Sequence, residues 1–193
     1  MQSQPTIADE WRARFGQNMP VGHSLRHMLP ERWLRIHSLP GSKRYPGSKG
    51  EFGALLERHN TVASEIMGEG SACLLFLFRY QYESGDAKAL IRDRRNGLVL
   101  HCLPELSGPL PHDPEDTVSV FGTRIMWDHG RFDSLISDVA MEKKGSMVFM
   151  SLSTDQVYSP YDGGADLILQ NPSKVELHKD QWRSWLSAHP AGL

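Results

Sequence analysis

The chain has 193 residues, of which 39% are hydrophobic and 23% charged, and it carries a formal net charge of −2. This length suits one ordinary domain that folds without a disulfide or metal staple. The mildly acidic balance supplies no general positive field for a phosphate backbone, so nucleic acid is not an expected partner, although a local basic patch remains compatible with it.

From Met1 to Trp11 there is neither the basic start nor the apolar stretch of a signal peptide, and residues 1–8 read as disordered or loosely docked. Trp11 and Phe15 share one helical face, and Leu25, Met28 and Leu29 another, which predicts two short helices before Pro30. Residues 1–30 then form an N-terminal arm, and residues 31–193 a single domain. Trp33 to Ser38 alternates as a strand with Leu34 and Ile36 on one face, and Pro40-Gly41 ends it. After a loop from Gly41 to Gly50, Ser48 with Glu51 fits a capping box. The helix it starts carries Phe52, Leu55, Leu56, Val62, Ala63, Ile66 and Met67 as one stripe, and Gly68 stops it.

Ala72 to Gln81 reads as a central strand buried on both faces, its apolar run far too short to cross a bilayer. Tyr82 to Arg95 is polar and reads as an excursion. Asn96-Gly97 is a turn ahead of a strand from Leu98 to Leu103. Pro104 to Asp116 holds prolines at 104, 109, 111 and 114 and reads as a surface loop, followed by a strand from Val118 to Trp127. Asp128 is the expected N-cap of a helix with the core face Phe132, Leu135, Ile136, Val139 and Ala140. Ser146 to Leu152 and Gln156 to Tyr161 form a hairpin around Ser153-Thr154-Asp155. Asp162 to Ala165 then turns the chain into a strand from Asp166 to Leu169. A last helix is expected from Ser173, with Glu176 completing a capping box and Val175, Trp182, Trp185 and Leu186 buried. Without strict βαβ alternation the fold class is α+β: a mainly antiparallel sheet with helices packed on one face.

Cys73 and Cys102 sit inside apolar runs and read as buried free thiols, although neighbouring strands could bring them together. No CxxC pair supports a thiolate zinc site. Together with the missing leader, this points to the cytoplasm. GxSxG, SxxK and GxGxxG are all absent, so no catalytic signature and no cofactor is assigned.

Four constellations remain. The turn Tyr161-Asp162-Gly163-Gly164-Ala165-Asp166 has two glycines that permit positive φ or close approach, flanked by two carboxylates that a hard cation would accept. An ordinary turn is the simpler reading, and no metal is assigned. Lys43, Arg44 and Lys49 lie among glycines before a helix N-terminus, a place attractive to anions, but the spacing departs from the P-loop. Arg35 and His37 point to one side of their strand. They could hold an anion, act as donor and general base, or pair with Asp128, Asp162 or Asp166. His23 and His27 have a spacing that zinc can bridge, but no third ligand is placed.

Three stretches carry a family resemblance: Arg35-Ile36-His37-Ser38-Leu39-Pro40 running on to Ser42-Lys43-Arg44-Tyr45, then Tyr158 to Asp166, then Trp185 to Leu193. Together they resemble a family of uncharacterised bacterial cytosolic proteins of about this length, from residue 30 onward, which implies no activity and no catalytic role. The hairpin-turn-strand stretch also resembles the SMI1/KNR4-type immunity domains, which neutralise toxins by binding them, and this implies a protein partner. Two functions follow as expectations. One is a non-catalytic binding or immunity-like regulatory module reading its partner through Tyr45, Tyr161 and the charges around them. The other is a small enzyme acting on an anionic substrate through Arg35, His37, Lys43 and Arg44 with a carboxylate from Asp128, Asp162 or Asp166.

Overall fold

A computed structural model describes residues 4–81 and 89–187. Its helices are α1 (Ile7–Phe15), α2 (Gly22–Met28), α3 (Lys49–Met67), α4 (Asp133–Ala140) and α5 (Pro172–Gln181). Its strands are β1 (Trp33–His37), β2 (Ala72–Tyr80), β3 (Leu90–Asp93), β4 (Leu98–Cys102), β5 (Gly108–Leu110), β6 (Asp113–Met126), β7 (Met147–Ser151), β8 (Val157–Tyr161) and β9 (Gly164–Ile168). They form one nine-stranded sheet in the order β1-β9-β8-β7-β2-β6-β4-β3, with β5 paired to β6. Every pairing among the described residues is antiparallel. The fold class is α+β.

The alternation of β2 explains the layering. Cys73 and Leu75 join a core with residues of α3, α4 and α5, whereas Leu74, Phe76 and Phe78 join a second core with α1 and α2. The three helices that follow β1 therefore share one face, and the two arm helices cover the other. Residues 4–8 are not loose: Thr6 and Asp9 exchange hydrogen bonds at the start of α1, and Ala8 is buried. Among the described residues no helix is long and apolar enough to cross a membrane.

Several local expectations change. The polar stretch 82–95 contains strand β3, which pairs with β4 around Asn96-Gly97; residues 82–88 lie outside the described residues. Strand β3 ends the sheet, so it needs no apolar alternation, and Leu90 and Ile91 are only half-buried. The proline-rich stretch 104–116 holds β5 and the start of β6. Pro109 sits in a three-residue edge strand, where a missing N–H disturbs little. Asp128 caps no helix. Its carboxylate pairs with Arg131 at 3.2 Å, and α4 starts at Asp133 without a side-chain cap. Asn171, not Ser173, caps α5, because Pro172 presets the first helical position. Ser48 does cap α3, but Glu51 turns to Lys43 and the Gly47 N–H instead of reciprocating. Trp182 is buried, with Trp185 and Leu186 packed half-buried beside it. The stretch Trp185 to Leu193 is described only as far as Ser187. Cys73 and Cys102 are free thiols standing opposite Ile125 and Phe121 on the two sides of β6, so roughly 13 Å of strand separates their positions and no disulfide can form.

One polar chain runs through the first core. The imidazole of His59 on α3 lies 2.7 Å from Ser38 Oγ through Nε2 and 2.7 Å from Tyr158 Oη through Nδ1. His59 and Tyr158 are fully buried and Ser38 is 1% exposed. A neutral imidazole offers one donor and one acceptor, which two hydroxyls can satisfy. Burial, aided by the charge of Arg58, lowers the His59 pKa to about 3. In the unfolded chain the ring takes up a proton below about pH 6.5, while in the fold it stays neutral. The stabilisation is therefore complete above that pH and is lost as pH falls toward 3, by up to about 1.4 kcal/mol per unit. Urea unfolding at pH 6.5 and pH 5 should show wild type losing about 1.6 kcal/mol more than His59→Gln across that interval. Equal losses in the two proteins would refute the assignment.

Candidate functional site

The β1–β9 register sets Arg35 opposite Asp166 and His37 opposite Gly164, so the early strand and the late turn lie side by side. Facing side chains in an antiparallel pair stand close enough to interact directly. Arg35 donates from Nε to Asp166 Oδ1 at 2.8 Å and from Nη2 to Oδ2 at 3.0 Å. Trp33 Nε1 donates to the same Oδ1 at 2.8 Å. The guanidinium lies between two rings, 5.4 Å from the centre of Trp33 and 4.8 Å from that of Tyr161. Asp166 is 6% exposed. Burial opposes the charge on Arg35, but the bonded carboxylate outweighs it and leaves the pKa above its ordinary value. Burial also pushes the Tyr161 phenol up to about 12. Both groups keep their protons throughout the physiological range.

His37 stands next in line. Burial and then the charge of Arg35 lower its pKa, a hydrogen bond with the Gly163 backbone working against them. Its Nε2 is buried with no hydrogen-bond partner among the described residues, and its carbonyl accepts from Arg58 Nη1 at 2.7 Å. The imidazole is thus neutral and faces protein.

The glycines of the turn serve close approach. Neither Gly163 nor Gly164 adopts positive φ. A Cβ on Gly164 would lie 1.9 Å from the Ile36 carbonyl oxygen, and one on Gly163 would lie 3.2 Å from the Tyr161 ring. Asp162, at the tip, pairs with Arg44 Nε at 2.9 Å and accepts from Tyr45 Oη at 3.2 Å. Hydrogen bonding to Glu142, and more weakly to Asp162, holds the Tyr45 phenol at about 12. The tip is open to solvent, with the Arg44 side chain 62% exposed and Tyr45 37%.

The structure thus gathers Arg35, His37, Arg44, Tyr45, Tyr161, Asp162, Gly163, Gly164 and Asp166. Lys43 turns away to both oxygens of Glu51, each at 2.7 Å, so a side-chain carboxylate already serves the start of α3. Asp128 is remote: Met126 of β6 pairs with Ala72 at the end of the sheet that also holds Trp33 and Ile168, and β6 lies four strands beyond β9. His23 packs on Phe78, whereas His27 accepts from Arg26 and packs on His112. No group of three or more His, Cys, Asp or Glu among the described residues could hold one metal ion. Sequence reasoning missed Trp33, although the same alternation places it beside Arg35. It also missed Glu142, which reaches Tyr45 from beyond α4 and left no local signal.

The charged groups saturate one another. Chemically the arrangement is a rigid closed pair beneath a polar, aromatic tip. Removing one partner strands a buried charge, so Arg35→Ala should cost about 3–5 kcal/mol, and combining it with Asp166→Ala should recover part of that loss. Urea titration of the four proteins checks this, and additive losses would refute the coupling. Gly164→Ala should unfold at markedly lower temperature than Gly163→Ala, because only the former meets backbone.

No curated protein and no solved structure matches this chain. One family does, over residues 21–190, which takes in every element from α2 to α5 and leaves out α1. The chain belongs to the family described as domain of unknown function DUF3885.

Proposed function

We propose that the chain is a non-catalytic binding module of the immunity or regulatory kind, acting in the cytoplasm on a protein partner. The partner would read the ridge formed by Arg44, Tyr45 and Asp162, which stands on the rigid base of Trp33, Arg35, Tyr161 and Asp166.

The observation that carries this reading is saturation. General acid–base catalysis needs a group within reach of substrate that can take or give a proton near the working pH. Here Arg35 gives two nitrogens to Asp166, Asp166 also accepts from Trp33, and His37 turns its free nitrogen into protein. Arg44 and Tyr45, by contrast, are exposed, and Tyr and Arg are the residues that most often anchor protein interfaces. Their shared contact with Asp162 limits their freedom before binding, which lowers the ordering cost of association. The competing reading, an enzyme for an anionic substrate using Arg35 and His37, requires Arg35 to leave a two-point carboxylate partner.

A benzophenone side chain placed at position 45 should, on illumination in the native host, give one discrete protein adduct. Arg44→Glu should abolish that adduct and weaken binding of the purified partner at least tenfold, about 1.4 kcal/mol. Absence of any adduct, or turnover of an anionic substrate that falls in Arg35→Gln, would overturn the proposal.

A further inference from the structure

A second concave region lies where β2 runs on past β7. The last β2–β7 pair is Leu77 with Met147, and β2 continues alone to Tyr80 on that side. Strand β4 meets β6 only at His101 and Cys102, so the β3–β4 hairpin leaves the sheet and swings toward α4. It is fastened there by Arg95 to Asp138 at 3.1 Å, Lys144 to Asp93 at 2.7 Å, and Ser134 to Asn96 at 2.8 Å. Hairpin, strand end and the segment 143–147 line a half-open cavity of about 880 Å³.

The cavity has two chemistries. Its floor is aliphatic, with Leu77, Ile91, Leu100, Leu135 and Met147 facing it. Its rim carries Arg79, Arg92, Arg94, Arg95, Lys143 and Lys144. Arg95 and Lys144 are matched by Asp138 and Asp93, whereas Arg79, Arg92, Arg94 and Lys143 have no ion-pair partner among the described residues. This positive excess stands out in a chain of net charge −2. Cations on an edge hairpin also discourage strand addition, and that alone explains Arg92. It does not explain the aliphatic hollow beneath them. The nearby aromatic rings are engaged with one another, Phe78 with Tyr80 at 5.8 Å and His23 with Phe78 at 5.9 Å, so the cavity offers a nucleobase little to stack on.

We infer that this cavity binds a single-chain anionic amphiphile, with its alkyl tail on the aliphatic floor and its phosphate or carboxylate head at the basic rim. The size suits such a ligand, since small-molecule sites commonly enclose about 300–1,000 Å³. Tail burial supplies the affinity, and the rim cations select the sign of the head. The inference does not rest on the reading of the ridge at Tyr45, although Lys143 of the rim directly follows Glu142, the hydrogen-bond partner of Tyr45.

Calorimetry of the purified chain with dodecyl phosphate, laurate, dodecyl maltoside and inorganic phosphate, each below its micelle concentration, tests the inference. Dodecyl phosphate or laurate should bind one to one, and the stronger of the two identifies the head group. The neutral maltoside and inorganic phosphate should each bind at least tenfold more weakly. The double variant Arg92→Glu, Arg94→Glu, both exposed, should lose at least tenfold in affinity while melting within a few degrees of wild type. Leu77→Asn should weaken the alkyl ligands without strengthening phosphate. Inorganic phosphate binding as tightly as dodecyl phosphate, adenosine monophosphate outcompeting both alkyl anions, affinity unchanged in the double variant, or no binding at all would overturn it.

Discussion

The contact between Gly164 and the Ile36 carbonyl fixes how β1 joins the sheet. Strand β1 has one strand neighbour, β9, and no room for a side chain exists where these backbones cross. The register that results puts Leu34 and Ile36 into the first core and Trp33, Arg35 and His37 on the opposite side. A slip by one residue would exchange the two sets and drive a guanidinium among aliphatic side chains. The Arg35–Asp166 pair reinforces that choice. A buried ion pair adds little net stability over well-packed apolar residues, but a stranded charge is costly, so the pair penalises every other register. The same strand then anchors α3, because Ser38, just past its end, meets His59, and Arg58 bonds the His37 carbonyl.

A sheet whose central strand is apolar on both sides needs a layer on each. The first layer comes from three helices of the continuous stretch after β1. The second depends on α1 and α2, with Trp11 stacked on Phe15 at 4.4 Å and edge-on to Phe76 at 5.1 Å. Trp11 is fully buried although α1 lies before the residues the family shares. The arm also reaches across the sheet by charge: Arg124 pairs with Glu10, and Arg14 pairs with Asp155. Removing these residues would expose Phe76 and Val120, so α1 belongs to the folded unit in packing terms.

The elements legible in the sequence are those whose side chains see two different environments. Period-two alternation located β1, the continuous apolar run located β2, and the helical stripe located α3. Strands β3 and β5 were hidden because edge strands are held by backbone pairing and carry little pattern of their own. Caps misled where a nearer or better-shaped group won: Pro172 moved the start of α5 to Asn171, and the 128–132 turn used Asp128 before α4 began. The site was half legible. Alternation put Arg35 and His37 on one side, and both candidate aspartates of the late turn proved to be neighbours. Asp128 could not be excluded because strand order is a tertiary property. Nor could the cavity be foreseen, since its lining comes from five separate parts of the chain whose only common feature is where the β3–β4 hairpin leaves the sheet.

Helix α2 spans the distance between the two regions singled out above. Its first residue, Gly22, presses on Ser159, where an added Cβ would lie 2.0 Å from Oγ, and Ser159 is the β8 residue paired with Asp166. Its second residue, His23, lines the cavity and packs on Phe78. The ring of His23 is held below its ordinary pKa chiefly by burial and by Arg26, while the charge of Asp166 acts in the opposite direction. One short helix thus meets the strand neighbour of the closed ion pair through a contact with no slack, and the open basic cavity through an aromatic one. The two sites differ in kind for a physical reason. Charges that are buried must be matched within the fold, and those at Arg35 and Asp166 are; charges at a rim remain hydrated at little cost, so Arg79, Arg92, Arg94 and Lys143 can stand without an ion-pair partner among the described residues.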